Sequence, residues 1–153
     1  MKIILQRVKK ASVQVQDKTA GEIGRGICLL IGIEKDDSEE DVRYLAKKVI
    51  ELRIFPGKEG KMNLSLIDIK GEVLAISQFT LVGSVRKGRR PSFDKAEMPE
   101  RAEKLFDYFV DIIRGEGLRI ETGVFGALMD VFLINEGPVT FILQDGRSMN
   151  LDH

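Results

Sequence analysis

The run Ile27-Cys28-Leu29-Leu30-Ile31-Gly32-Ile33 contains no polar side chain. A half-exposed strand alternates apolar and polar residues, because successive side chains point to opposite faces. A continuous apolar run of this length reads instead as a strand buried on both faces. The segment Glu72-Val73-Leu74-Ala75-Ile76 has the same character once past its first residue, so it too reads as central and buried. Both strands need covering elements, and the rest of the chain has to supply them.

Two helices are expected. Ser38 followed by Asp41 forms an acidic version of a capping box, and Val42, Leu45, Ala46, Val49 and Leu52 then recur at helical spacing over 39–52. The second helix begins near Pro99, a residue favoured in the first turn. Its apolar stripe is Ala102, Leu105, Phe106, Phe109, Ile112 and Ile113, and it stops before Gly115 and Gly117. Strands are expected at 2–8, at 12–16 by its alternation, and within 22–33. Short strands at 53–55 and 63–67 flank the turn Pro56-Gly57-Lys58-Glu59-Gly60, and further strands fall at 118–122, 129–134 and 138–144. Seven or eight strands with two main helices make an α+β fold with a twisted, barrel-like sheet. The 153 residues fit one domain, taken as 1–144 with a C-terminal tail at 145–153.

Charge narrows the partners. The chain has 24 basic and 24 acidic residues, so no overall field marks it as a nucleic-acid binder. Contact with RNA would have to come from a local patch, and Arg86-Lys87-Gly88-Arg89-Arg90 is the candidate. A solvated loop explains the same residues. A lone cysteine, Cys28, allows no internal disulfide, and the apolar start Ile3-Ile4-Leu5 is broken at once by Gln6 and Arg7. A soluble, cytoplasmic protein is expected.

The residue inventory also limits the chemistry. The only histidine is the last residue, His153, expected on a frayed tail. No internal Ser-His or Cys-His pair is therefore available to activate a nucleophile. Cys28 sits in an apolar run and reads as a small core residue. Clusters with metal-ligand spacing are missing, so no metal and no cofactor is expected. In Ser77-Gln78-Phe79-Thr80-Leu81-Val82 polar groups enter the end of a buried strand. Alternation would put Gln78 and Thr80 on one face and Ser77 and Phe79 on the other, with partners in the protein or in a ligand. The segment Asn135-Glu136-Gly137-Pro138-Val139-Thr140 reads by itself as a tight connection between two strands.

Taken together, Ser77-Gln78-Phe79-Thr80-Leu81 and Asn135-Glu136-Gly137-Pro138-Val139-Thr140 resemble the two signature motifs of the D-aminoacyl-tRNA deacylase family. The similarity continues through Gln6-Arg7-Val8, Ala11-Ser12-Val13, Gly60-Lys61-Met62-Asn63-Leu64, Arg90-Pro91-Ser92-Phe93 and Asp107-Tyr108-Phe109-Val110. Each motif is short, but the ordered set runs from residue 1 to about 144.

The resemblance implies the deacylase fold and a homodimer with composite active sites. It implies a carboxylic ester hydrolase that frees D-amino acid and tRNA, and glycine from mischarged glycyl-tRNA, as chiral proofreading in translation. Ser77, Gln78, Phe79 and Thr80 would line a pocket for the 3′-terminal aminoacyl-adenosine, with Met129 at a further pocket position. The backbone amides of Phe79 and Thr80 would be oxyanion donors. Gly137 and Pro138 would enter from the other subunit through a cis peptide and exclude L side chains, held in orientation by Arg7. Beside what the resemblance implies, the local basic run offers Arg86, Lys87, Arg89 and Arg90 as contacts for tRNA phosphates. Two other readings remain open: a non-catalytic tRNA-binding module, and an interaction barrel in which Gly137-Pro138 is a plain turn.

Overall fold

The computed structural model describes residues 1–144; the expected tail 145–153, with His153, lies outside the described residues. Eight strands are seen among them: β1 (Lys2–Val15), β2 (Lys18–Ile23), β3 (Gly26–Gly32), β4 (Phe55–Pro56), β5 (Met62–Leu64), β6 (Glu72–Ser77), β7 (Ile120–Thr122) and β8 (Asp130–Gln144). Three helices accompany them, α1 (Glu39–Glu51), α2 (Leu66–Ile69) and α3 (Pro99–Gly115).

Helix α1 starts as its sequence requires. The Asp41 carboxylate accepts the Ser38 N–H at 2.8 Å, and the Ser38 hydroxyl accepts the Asp41 N–H at 3.3 Å. Its buried stripe is Val42, Leu45, Ala46, Val49 and Ile50, whereas the expected Leu52 is the C-cap just past the helix and is only partly buried. Helix α3 has Pro99 in its first turn and buries Ala102, Leu105, Phe106, Phe109, Val110 and Ile113, while Ile112 is only partly covered. It runs through Gly115, one residue past the expected stop. The expected strand 63–67 ends at Leu64 and gives way to α2. Ser65 and Asp68 form a second capping box there, a signal of the same Ser-x-x-Asp type as at α1.

The long β1 organises the sheet. Residues Lys2–Val8 pair antiparallel with β3 and residues Ala11–Val15 with β2, so β3 and β2 follow one another along one edge. The other edge pairs with β8 from Lys2 to Gln14. Strands β3, β6 and β7 then run parallel, in the order β2-β1-β3-β6-β7. Strand β2 folds back over β6 and β7: a Cβ built at Gly21 would sit 2.7 Å from the Thr122 carbonyl oxygen. The result is a nearly closed, barrel-like mixed sheet. The two strands expected at 2–8 and 12–16 are thus one, bridged by exposed Lys9 and Lys10, whereas 22–33 is two strands separated at Gly24 and Arg25.

The wholly apolar strands are explained by two clusters. Ile27, Leu29 and Ile31 of β3, with Val73 and Ala75 of β6, face α1 and α3. Cys28, Leu74 and Ile76 face the barrel interior with Val8, Ala11, Val13 and Ile23. Each fully buried side chain of this size contributes roughly 1.5–3 kcal/mol of transfer free energy. Burial also pushes the Cys28 thiol up to about 12, so it is an un-ionised core group. A polar knot ties the start of β1 to this core. The Met1 ammonium donates to Asp37 Oδ1 at 2.6 Å, and Asp37 Oδ2 accepts the Glu34 N–H at 2.6 Å. Arg101 of α3 donates to the Asp37 carbonyl at 2.5 Å. Among the described residues no helix is long and apolar enough to cross a membrane.

Candidate active site

The polar residues that follow β6 do not continue it. The strand ends at Ser77, and Phe79–Val82 form a 3-10 turn. The Gln78 N–H donates to the Ile31 carbonyl at 2.7 Å as the last bond of the β3–β6 ladder, and beyond it the turn packs onto Gly32. A Cβ at Gly32 would lie 3.1 Å from the Gln78 carbonyl oxygen, Leu81 Cβ and Val82 Cγ1, so glycine at this position lets the turn lie against β3. Strand alternation therefore fails beyond Ser77, and Gln78 and Thr80 are neighbours because the backbone coils. Gln78 Nε2 donates to Thr80 Oγ1 at 3.1 Å.

These residues are also far less covered than a buried strand end would be. Ser77 and Gln78 are half-buried, Thr80 is exposed, and Phe79 is 59% exposed. The Phe79 ring is steadied by Phe93, edge to face at 5.1 Å between centroids. Gln78 makes no side-chain capping bond to the turn. The first N–H groups of such a turn, those of Phe79 and Thr80, have no acceptor within it.

The basic segment springs from the same turn. Ser84 and Ser92 exchange two backbone hydrogen bonds, at 2.7 and 2.8 Å, and close a loop that carries Arg86, Lys87, Arg89 and Arg90, all exposed. Gly88 takes φ +68° at its tip. Phe93, just past the closure, is the residue that packs on Phe79. Met129 is partly buried against the barrel-interior cluster that includes Ile76, and its sulfur fills the space beside Gly123.

The second motif is not a turn between two strands. Strand β8 is continuous through it, and the β1 ladder is interrupted instead. Gln6 pairs with Thr140 and Val8 with Asn135. Between those pairs β1 has one residue, Arg7, and β8 has four, Glu136 to Val139. This is a special bulge, larger than the usual two residues opposite one. The Gly137-Pro138 peptide is cis, as the resemblance implies. Gly137 has φ +140°, a region open chiefly to glycine, and Gly137 and Pro138 are both exposed.

Arg7 fills the bulge. Its Nε donates to the Glu136 carbonyl at 2.9 Å and its Nη1 to the Ile54 carbonyl at 2.7 Å. The Glu136 carboxylate approaches Arg7 Nε at 3.9 Å and Arg25 Nε at 4.0 Å. Asn135 closes the other end: its Oδ1 accepts the Val139 N–H at 2.6 Å, and its Nδ2 donates to Thr140 Oγ1 at 2.9 Å and to the Val139 carbonyl at 3.3 Å. Sequence reasoning found Arg7 but not Asn135, whose Asx-type bonding to nearby backbone was the available signal. Among the described residues, no hydrogen bond joins the Ser77–Thr80 group to the Gly137-Pro138 group.

A family described as D-Tyr-tRNA(Tyr) deacylase matches residues 4–144. The D-aminoacyl-tRNA deacylase of Koribacter versatilis is 55% identical over 147 residues, covering 96% of this chain and 99% of that protein. The protein of the same name from Thermosipho africanus is 53% identical over 147 residues, again covering 96% and 99%. A solved structure described as c-Myc DNA Unwinding Element Binding Protein superposes with a TM-score of 0.89 at 40% identity, covering 95% of this chain and 99% of its own. On the full-length match, the two motifs and the shared fold, the chain belongs to the D-Tyr-tRNA(Tyr) deacylase family.

Proposed function

We propose that this protein hydrolyses the ester that joins a D-amino acid to the 3′-terminal adenosine of tRNA, and that it does so as a homodimer. The observation that carries the reading is the exposure of both family motifs on firmly held backbone. Phe79 and Thr80 project from a 3-10 turn packed on β3, and Gly137 and Pro138 project from a bulge filled by Arg7.

An aminoacyl ester is already activated, so hydrolysis needs chiefly a delivered water and stabilisation of the tetrahedral oxyanion. The N–H groups of Phe79 and Thr80 are the donors assigned to that oxyanion, a role worth up to ~2.7–4 kcal/mol per donor. Thr80 Oγ1 already accepts from Gln78, which leaves its own O–H free to donate to substrate. No histidine lies among residues 1–144 to take a proton from Thr80. The reaction therefore runs with help from the 2′-hydroxyl of the substrate ribose. Water adds to the ester carbon, the intermediate collapses, and the ribose 3′-oxygen leaves with a proton. Ser77, Gln78 and Met129 line the aminoacyl-adenosine pocket.

Selectivity comes from rejection. The main chain of Gly137 and Pro138, entering from the partner subunit, occupies the volume an L side chain needs and leaves room for hydrogen or a D side chain. Many D-residues are then accepted and glycyl-tRNA is partly vulnerable. One D-residue preferred strongly over all others would count against this.

The dimer is supported by β8. Among the described residues it pairs with β1 alone, so its outer edge is open. It exposes Phe132, Ile134 and Phe141, and Ile142 is 73% exposed. An open, apolar edge strand is an aggregation hazard unless something covers it, and a second copy of the same edge does so. An aminoacyl-tRNA substrate also favours a cytoplasmic site of action, with the Arg86–Arg90 loop meeting phosphates of the acceptor end.

The deciding experiment compares hydrolysis of D-tyrosyl-tRNA and L-tyrosyl-tRNA by the purified protein without added metal. Rapid loss of the D ester with the L ester intact is the expected result. Binding of tRNA with neither ester cleaved would make the protein an RNA-binding module, and equal cleavage of both would remove Gly137-Pro138 as the filter.

A further inference from the structure

The bulge in β8 carries four residues opposite one, and their backbone groups are cut off from the β1 ladder. Polar backbone without a ladder partner is satisfied by side chains or by water, and of these only side chains fix its position. Arg7 fixes only the entry to the bulge, at the Glu136 carbonyl. The exit is held by the Asn135 carboxamide. It reaches across Glu136, Gly137 and Pro138 to take the Val139 N–H at 2.6 Å, and it donates to the Val139 carbonyl and to Thr140 Oγ1. Both its oxygen and its nitrogen are used, so the amide is locked against a flip. Val139 itself is buried, which anchors the far side of the span. Gly137 and Pro138 between the two anchors remain exposed.

From this geometry we infer that Asn135 is a positioning residue for stereoselection: with Arg7 it clamps the Gly137-Pro138 main chain at the distance that rejects an L ester. The inference rests on the reading of Gly137-Pro138 as the filter. It assigns no catalytic contact to Asn135. A side chain that only stabilised the fold would affect how much active protein survives, not the ratio between two substrates differing in one stereocentre.

The test uses wild type, Asn135→Ala and Asn135→Asp, assayed on D-tyrosyl-tRNA and L-tyrosyl-tRNA, with the thermal midpoint of each protein. Asn135→Asp keeps an acceptor for the Val139 N–H and loses both donors, so it retains one arm of the clamp if the alanine variant fails to fold. A displacement of about 1 Å at a reacting centre costs up to roughly 10²-fold, so the D-to-L ratio of kcat/KM is expected to fall by at least about tenfold in Asn135→Ala and by less in Asn135→Asp. An unchanged ratio in the folded variants, with wild type discriminating, overturns the clamp and leaves the filter standing. A wild type that cleaves both esters equally overturns the filter itself, and the clamp with it.

Discussion

Arg7→Met separates the bonding of the guanidinium from the packing of its stem. Methionine retains much of the aliphatic volume but can donate nothing to the Glu136 carbonyl, at 2.9 Å, or to the Ile54 carbonyl, at 2.7 Å. Hydrogen bonds to a charged group contribute about 1.5–3 kcal/mol each, and these two lie in a partly buried setting. The lower end applies to both, because water reaches the site, which gives a loss of roughly 3 kcal/mol. Glu136 adds to it, since its Oε2 is buried without a hydrogen-bond partner and Arg7 is one of two cations facing it. At about 2–4 °C per kcal/mol for a chain of this length, the thermal midpoint should drop by roughly 6–12 °C. Differential scanning calorimetry measures the drop, and the tyrosyl-tRNA pair measures discrimination. Loss of the Glu136 anchor should lower hydrolysis of the D ester and raise the relative rate on the L ester. A midpoint within about 1 °C of wild type would show that water replaces both bonds at no cost, refuting the thermodynamic reasoning. An unchanged D-to-L ratio would refute the positional one.

Other perturbations test other parts of the structure. Asp37→Ala removes the acceptor of the Met1 ammonium and of the Glu34 N–H while the Glu34 carboxylate, 3.7 Å from the ammonium, remains, and should cost about 1.5–3 kcal/mol in urea unfolding; a loss below about 0.5 kcal/mol would mean the Asp37 bonds are replaced by water. The hydrogen bond from Arg119 holds the Glu72 carboxyl below its ordinary value, with the Gly24 N–H adding to this. Because the folded-state value is the lower one, the stabilisation is complete above the unfolded carboxylate's titration near ~4.3 and disappears as pH falls through the folded value. Glu72→Gln should therefore destabilise at pH 7 and flatten the acid limb of a stability–pH curve, and an unaltered limb would remove Glu72 as a contributor. Replacing Arg86, Lys87, Arg89 and Arg90 singly by alanine should raise KM for the tRNA ester and leave kcat alone. Each loss should reduce the slope of log affinity against log salt by about 0.7–0.9, and a slope unmoved by all four changes would show the loop to be a solvated surface.

Much of the fold was legible in the sequence because it depends on local periodicity. The capping box at Ser38, the stripes of α1 and α3, and the wholly apolar β3 each follow from neighbours a few residues apart, and the structure has them at the expected places. The ordered motifs also identified the family, and they singled out Arg7, Ser77–Thr80 and Gly137-Pro138 as positions of interest. What a local pattern cannot carry is the effect of a partner distant in the chain. The strand reading of 77–82 fails because the β3 ladder ends with the bond from Gln78 to Ile31, and Gly32, more than forty residues earlier, leaves space for a tighter coil beyond it. The turn reading of Gly137-Pro138 fails because β1 continues unbroken opposite it, so the extra residues form a bulge in one long strand. Asn135, though part of the second motif, carried no role of its own for a related reason: its bonds matter only where four residues stand opposite one. Sequence determined where the two long helices, the buried strands and the family motifs would lie, since hydrophobic spacing and capping are near-neighbour effects. Tertiary pairing decided which residues would be left projecting and what would hold them, because hydrogen-bond register is set between strands rather than within them.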